Sequence, residues 1–422
     1  MAGNSAVNAL VADIIDRHDV RTVFQPLVHA ASLEVVGFEA LTRGPKGSPL
    51  ESPVDLISAA TRAGRLEELD WVCAATAART ALAARLHPSL TFFLNLEPST
   101  LDFPCPADLV PTVARARQGL RVVVEMGERS LLDDPAGLLG SVASVRDDGW
   151  GVAVDRVGGD HSALAMLPFV QPDVIKVNLP LLRSASEADW AETANTVRAH
   201  SERTGAVTLV QGVETDNDAM LARTFGATYA QGWRYGRPEP LPAEVKAPYE
   251  PFPLLQTPET TRPPTPFELI SARRAPEVNE KRVLVQVSKY LEDQAIRESP
   301  VVVLACLENA EFLAGETLAR YGRIGSRAVL TAVLAVGLGA DRAPPGVMAT
   351  RLSPWDRLSL EWDVIVLGPH FNGALVARAS ADGTTGAYRH FEYVVTHDRQ
   401  LVVLAARALA HRTVAKSWEA EV

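Results

Sequence analysis

Cysteine is scarce in this 422-residue chain: Cys73, Cys105 and Cys306 are an odd number without CxxC spacing, so they make no complete disulfide framework and read as buried or inert thiols. No apolar run approaches the ~20 residues that span a bilayer. Met1 to Asp13 lacks the basic-then-apolar order of a secretory signal, so a cytoplasmic protein without a membrane partner is expected. Positive charge is also in deficit, with 41 Lys and Arg against 51 Asp and Glu and a formal net charge of −10. That balance argues against nucleic-acid polymers and anionic membranes, which reward basic patches. A nucleotide remains compatible, because a few local arginines or a metal offset an acidic surround. What the chain does have is 47% hydrophobic residues, enough for two ordinary domains.

Proline marks the division. Pro242, Pro248, Pro251, Pro253, Pro258, Pro263, Pro264 and Pro266 fall in one short span, and prolines at that density favour extended chain. The expected organisation is a first domain over 1–240, a semi-rigid, exposed linker over 241–266 and a second domain over 267–422.

Eight short apolar runs fill the first part: Thr22–Val28, Val35–Arg43, Thr91–Pro98, Arg121–Glu128, Trp150–Val157, Pro172–Leu179, Ala206–Val213 and Tyr229–Gly236. Helix-length amphipathic segments separate most of them. Polar residues sit toward their ends: Glu39, Asn95, Glu125, Asp155, Lys176, Gln211 with Glu214, and Gln231. On a (β/α)8 barrel such positions converge on one mouth. The predicted fold is therefore α/β, a TIM-like (β/α)8 barrel followed by a smaller mixed α/β domain. In the latter, strands are expected at Val301–Cys306, Ala328–Leu334, Trp362–Leu367, Gly373–Ala377 and Tyr393–Thr396. Helices are expected at Val283–Glu298, Ala310–Gly322 and Asp398–His411.

The blocks Phe24-Gln25-Pro26, Glu39-Ala40-Leu41-Thr42-Arg43, Asn95-Leu96, Glu125-Met126-Gly127-Glu128, Asp155-Arg156-Val157-Gly158, Lys176-Val177-Asn178, Gln211-Gly212-Val213-Glu214 and Gln231-Gly232 resemble the EAL-domain phosphodiesterases, bacterial enzymes that hydrolyse cyclic di-GMP. The second part resembles the DICT sensory domain through Pro266-Phe267-Glu268-Leu269-Ile270-Ser271, Arg320-Tyr321, Glu361-Trp362-Asp363-Val364 and Thr396-His397-Asp398. The first resemblance places Glu39, Asn95, Glu125 and Asp155 on the ligands of one divalent ion, Mg²⁺ or Mn²⁺. It puts Gln25, Arg43 and Gln231 on positions that contact the dinucleotide, and Lys176 and Glu214 on active-site positions.

Two blocks depart from the family pattern, each by losing a carboxylate. Paired aspartates become Asp155-Arg156, and a glutamate becomes Gln211. Arginine cannot ligate a metal and its permanent charge repels a cation. An amide has no basicity useful to a general base near pH 7. The expectation is a signalling protein whose degenerate barrel binds cyclic di-GMP, or a protein partner or second copy, without efficient hydrolysis, and which holds at most one metal ion. The alternative is a slow metal-dependent phosphodiesterase giving linear pGpG, retaining one ion on Glu39, Asn95, Glu125 and Asp155, and a third reading is a pure interaction scaffold. A substitute acid, Asp160 or Glu214, would require Arg156 and Gln211 to point away. His29 and His161 lack metal-ligand spacing and are assigned no role. The aromatic stretch Trp355, Trp362, Phe371, Tyr388, Phe391 and Tyr393 reads as core packing.

Overall fold

The computed structural model of the chain describes residues 2–127, 135–159, 161–254, 264–298, 300–380 and 386–414. Glu128, Asp160, Pro258 and Pro263 lie outside the described residues. Two compact units emerge, Met1–Asp160 with Gln171–Thr257, and His161–Val170 with Pro258–Val422.

All eight apolar runs of the first unit become strands of one closed barrel. They are β1 (Arg21–His29), β2 (Val35–Arg43), β3 (Thr91–Asn95), β4 (Arg121–Gly127), β5 (Gly151–Val157), β6 (Val174–Asn178), β7 (Val207–Gln211) and β8 (Tyr229–Ala230), hydrogen-bonded in sequence order and closed by β8 on β1. One strand departs from an all-parallel barrel: β1 runs antiparallel to both β2 and β8. The connection from His29 to Val35 is too short for a crossover, which takes a dozen residues or more, so β1 and β2 form a hairpin. β8 is only two residues long because the chain then turns at Gly232 (φ +156°), where any Cβ would meet the Val213 carbonyl oxygen at 2.1 Å.

The period-2 alternation of strands stacks the barrel interior in layers. Leu27, Phe93, Val123, Ala153, Val174 and Leu209 make an apolar layer. Two residues along each strand from these stand Gln25, Asn95, Glu125, Asp155, Lys176 and Gln211, the polar layer of the mouth. The floor below the apolar layer is closed by Phe252, fully buried, edge-to-face against Phe93 at 5.4 Å and tilted against Tyr229 at 4.4 Å. Arg121 donates to the Phe252 carbonyl at 2.8 Å. This corrects the expectation of a wholly exposed linker. One aromatic among the prolines has an apolar socket, and Pro248 is buried as well. The far side of the stretch is also docked: Thr265 is buried and caps the helix Pro266–Ser271 by a reciprocal hydrogen-bond pair with Glu268.

The second unit is a seven-stranded sheet in the order β12-β11-β10-β13-β14-β15-β9. Its strands are β9 (Glu277–Glu280), β10 (Val302–Asn309), β11 (Leu330–Val336), β12 (Met348–Leu352), β13 (Glu361–Leu367), β14 (Asn372–Ala379) and β15 (His390–Thr396). Only β10–β11 and β11–β12 pair in parallel. The five expected strands are present. β9 and β12 escaped the sequence reading because they are short edge strands without a continuous apolar run. Helices Lys281–Arg297 and Gly315–Gly325 supply Leu284, Leu291, Tyr321 and Ile324 to a core with Val303, Val364, Val366 and Phe391. The expected helix start at Ala310 is instead a 3₁₀ turn, Ala310–Phe312. Of the aromatic stretch, Trp362 and Phe391 are buried and meet edge-to-face, and Phe371 and Tyr393 pack against the core. Trp355 and Tyr388 are exposed, because they lie outside the strands.

Candidate active site

Lys176 is completely buried at the centre of the polar layer. Its ammonium donates to Glu39 Oε2 at 3.0 Å and to Glu125 Oε1, and lies 3.6 Å from Asp155 Oδ1. The Phe93 ring is below it, with Nζ 5.8 Å from the centroid. Burial opposes the charged lysine, but Asp155, Glu125 and Glu39 together outweigh it and hold the ammonium above its usual range. Burial likewise opposes ionisation of Glu39, yet Lys176 and donors from Gln231 and Asn95 keep that carboxyl below its usual range. Glu125 goes the other way. Burial, with the charges of Glu39 and Asp155, outweighs Lys176 and raises it well above the carboxylate range.

Amides surround these charges. Gln231 donates to Glu39 Oε2 at 2.6 Å and to Gln25 Oε1 at 3.2 Å, and Gln25 donates to the Gly236 carbonyl at 3.0 Å. Asn95 donates to Glu39 Oε1 at 3.4 Å. Gln211 donates to Asp155 Oδ1, and its own oxygen accepts from Asn178 Nδ2 at 3.4 Å. Within this network two buried acceptors have no hydrogen-bond partner among the described residues, Glu125 Oε2 and Gln231 Oε1.

Strand closure thus assembles Gln25, Glu39, Asn95, Glu125, Asp155, Lys176, Gln211 and Gln231 into one network. Arg156 stands at its edge, 58% exposed, with Nε 3.9 Å from Asp155 Oδ2. Arg43 and Glu214 are outside the network. Arg43 is half-buried at the end of β2, donates to the Thr42 carbonyl at 2.7 Å, and faces Arg21 across the hairpin. Burial and Arg21 both lower its pKa. Glu214 is exposed, its backbone N–H held by Asp218 at 3.0 Å. Of the two expected active-site residues Lys176 and Glu214, Lys176 faces the three carboxylates of the network.

Two positioning residues were assigned no role from the sequence, Asn178, which stood only as part of a family block, and Asp70. Asn178 orients the Gln211 amide. Asp70, on the helix Leu66–Ala84, accepts from Glu97 N at 3.1 Å and Thr100 Oγ1 at 2.9 Å and so ties down the loop after Asn95. Burial, only partly offset by those bonds, pushes its carboxyl up to about 6. The thiols match their inert reading, since burial raises all three, Cys73 to about 12.

Residues 7–238 match the EAL domain model, and residues 269–380 match the sensory domain in diguanylate cyclases and two-component systems, DICT. With the first match covering more than half its length, the chain belongs to the EAL-domain family, here joined to a DICT domain. It is similar to an uncharacterized signaling protein of Caulobacter vibrioides, 30% identical over 226 residues, 52% of this chain and 27% of that protein. It is also similar to the probable cyclic di-GMP phosphodiesterase PdeB of Escherichia coli K12, 27% identical over 248 residues, 54% of this chain and 44% of that protein. The match therefore spans less than half the length of either relative. Among solved structures, the manganese and cyclic di-GMP complex of Klebsiella pneumoniae BlrP1 aligns at 29% identity and a TM-score of 0.46, over 52% of this chain and 56% of that one. Among the described residues, no helix is long and apolar enough to cross a membrane.

Proposed function

We propose that the barrel binds cyclic di-GMP and retains it without efficient hydrolysis, passing the bound state to the DICT domain or from it. The observation that carries this reading is the charge balance of the mouth. Relative to the family pattern, Arg156 for aspartate changes the local charge by +2 and Gln211 for glutamate by +1. What remains is three carboxyls, one of them held toward its neutral form, against Lys176 and Arg156. A two-ion hydrolytic site needs surplus negative charge and a base for the attacking water. Here Gln211 is a donor to Asp155, not an acceptor of a water proton.

The donor set tests whether a metal fits. Glu39, Asn95, Glu125 and Asp155 offer hard oxygens suited to Mg²⁺ or Mn²⁺, and Glu125 Oε2 is an unspent acceptor. These four would hold one ion, which when bound polarises a phosphoryl oxygen. Among the described residues, however, no three Asp, Glu, His or Cys side chains form a group ready to hold a cation. At the position of the second ion stands a guanidinium.

The chain's own residues orient the ligand. Gln25 and Gln231 present amides beside Glu39, and Arg43 supplies a fork for a phosphate oxygen. A barrel that keeps its ligand intact signals only through contacts, so the output falls to a protein partner or a second copy of the chain. Purified protein incubated with cyclic di-GMP and Mg²⁺ or Mn²⁺ is expected to bind the dinucleotide with turnover far below roughly 1 s⁻¹. Linear pGpG at that rate or above would establish the single-metal phosphodiesterase instead, and neither binding nor product would leave an interaction scaffold. Arg156→Asp with Gln211→Glu is expected to restore Mg²⁺-dependent hydrolysis, and either change alone to do less.

A further inference from the structure

We infer that Arg156 takes over the charge role of a second metal ion: its guanidinium binds a phosphate of the cyclic dinucleotide directly, so that binding needs no divalent cation. This rests on the dinucleotide-binding reading above and adds its chemical means.

Three observations point to it. The first is backbone geometry. The pairing of β5 with β6 slips between Val154 and Val157, skipping Asp155 and Arg156. Arg156 sits there with φ +60°, a left-handed conformation that a non-glycine residue adopts only at a cost. In an unbroken strand, Asp155 and Arg156 would face opposite sides. The irregularity lets consecutive residues place a carboxylate and a guanidinium side by side at the mouth.

The second is availability. Arg156 is 58% exposed, and its only ion-pair partner among the described residues is Asp155 at 3.9 Å, beyond hydrogen-bond range. It donates no hydrogen bond to a described residue. The planar fork is therefore open to solvent at one edge and held near the buried network at the other, the arrangement that suits a bidentate phosphate contact.

The third is the character of the surrounding wall. Gln25, Asn95, Asn178, Gln211 and Gln231 are all amides, and their mutual hydrogen bonds run into Glu39 and Asp155. Lys176 neutralises that buried charge from beneath. A dianionic ligand over such a mouth meets amide donors and an exposed arginine, with Lys176 offsetting the carboxyls of Glu39, Glu125 and Asp155.

The test is calorimetry on the full chain with cyclic di-GMP, in EDTA and in Mg²⁺, for wild type, Arg156→Ala and Arg156→Lys. The expected result is a wild-type Kd in EDTA within about twofold of that in Mg²⁺, weakened at least about tenfold by Arg156→Ala and less by Arg156→Lys. Far-UV circular dichroism checks that the exposed-site variants stay folded. Wild-type binding only in Mg²⁺, or equal affinity in Arg156→Ala, overturns the arginine role while leaving dinucleotide binding in place. Absence of wild-type binding in both buffers overturns the binding reading itself, and with it this one.

Discussion

Glu125 in the barrel and Asp363 in the second unit are both carboxyls sealed from solvent, and burial pushes both well above the carboxylate range. Their surroundings differ. Glu125 accepts from the Lys176 ammonium, inside a network that five amides extend to the mouth. Asp363 lies in the middle of a sheet, opposite the buried thiol of Cys306, with no side-chain hydrogen-bond partner among the described residues, and burial with the charge of Glu361 outweighs the Ala377 backbone N–H, Arg378 and Arg412. Its neighbour Glu361, on the same face of β13, is satisfied by Thr265 Oγ1, the Phe267 N–H at 3.1 Å and Arg378 at 2.7 Å. A buried acid with an ammonium beside it keeps a hydrogen-bond partner even where burial holds it toward its neutral form. One without a side-chain hydrogen-bond partner, and with a second carboxyl near it, is a group that the fold holds toward its neutral form.

The largest effect is expected from removing the cation on the barrel side. Lys176→Met leaves Glu39 and Asp155 uncompensated in a dry interior and should cost about 3–5 kcal/mol of barrel stability. Urea unfolding, with hydrogen exchange assigning the transition to the barrel strands, measures this; an unchanged midpoint would show that the quartet is more hydrated than its burial implies. Glu39→Gln should cost about 1.5–3 kcal/mol by the same assay, because a charged acceptor of three donors becomes neutral.

On the sheet side the sign reverses. Asp363→Asn should stabilise the second unit at neutral pH by about 1–2 kcal/mol. Because the folded pKa of Asp363 lies above its unfolded value, the folded state holds its proton longer. Stability is then greatest below the ordinary carboxylate range and falls as pH rises through the raised value. Glu39 contributes oppositely: with a lowered folded pKa, its share is present above the ordinary range and lost as pH falls. Glu125 and Asp70, both raised, oppose the Glu39 share within the barrel, so hydrogen exchange between pH 4 and 8 reads each contribution by difference: Asp363→Asn should remove a loss of sheet stability toward high pH, and Glu39→Gln a loss of barrel stability toward low pH. The smallest effect belongs to Glu125→Gln, under about 1 kcal/mol, since a carboxyl already held toward its neutral form loses little as an amide. A loss as large as that of Glu39→Gln would place the negative charge on Glu125 and erase its likeness to Asp363.

Much of this site was legible in advance because a strand repeats every two residues. Once Phe93, Val123, Ala153, Val174 and Leu209 are read as interior, Asn95, Glu125, Asp155, Lys176 and Gln211 follow at the same face two residues on. Arg43 and Glu214, expected in the site from their family blocks, make no hydrogen bond into that network: Arg43 donates to the Thr42 carbonyl and Glu214 is exposed. The partners of Lys176 were not legible, because the closed barrel brings in Glu39, 137 residues away, and Glu125, 51 away.

The sequence by itself determined which segments are strands and which side chains share the barrel interior, because both depend on local periodicity and residue chemistry. Only the tertiary structure decided that Lys176 sits among three carboxylates, that Gln211 donates to Asp155, that the backbone slips at Arg156, and that Phe252 leaves a proline-rich stretch to seal the barrel floor. Those are choices of partner made when strands close on one another, and the free energy that selects them comes from burial and charge pairing between residues that no sequence spacing relates.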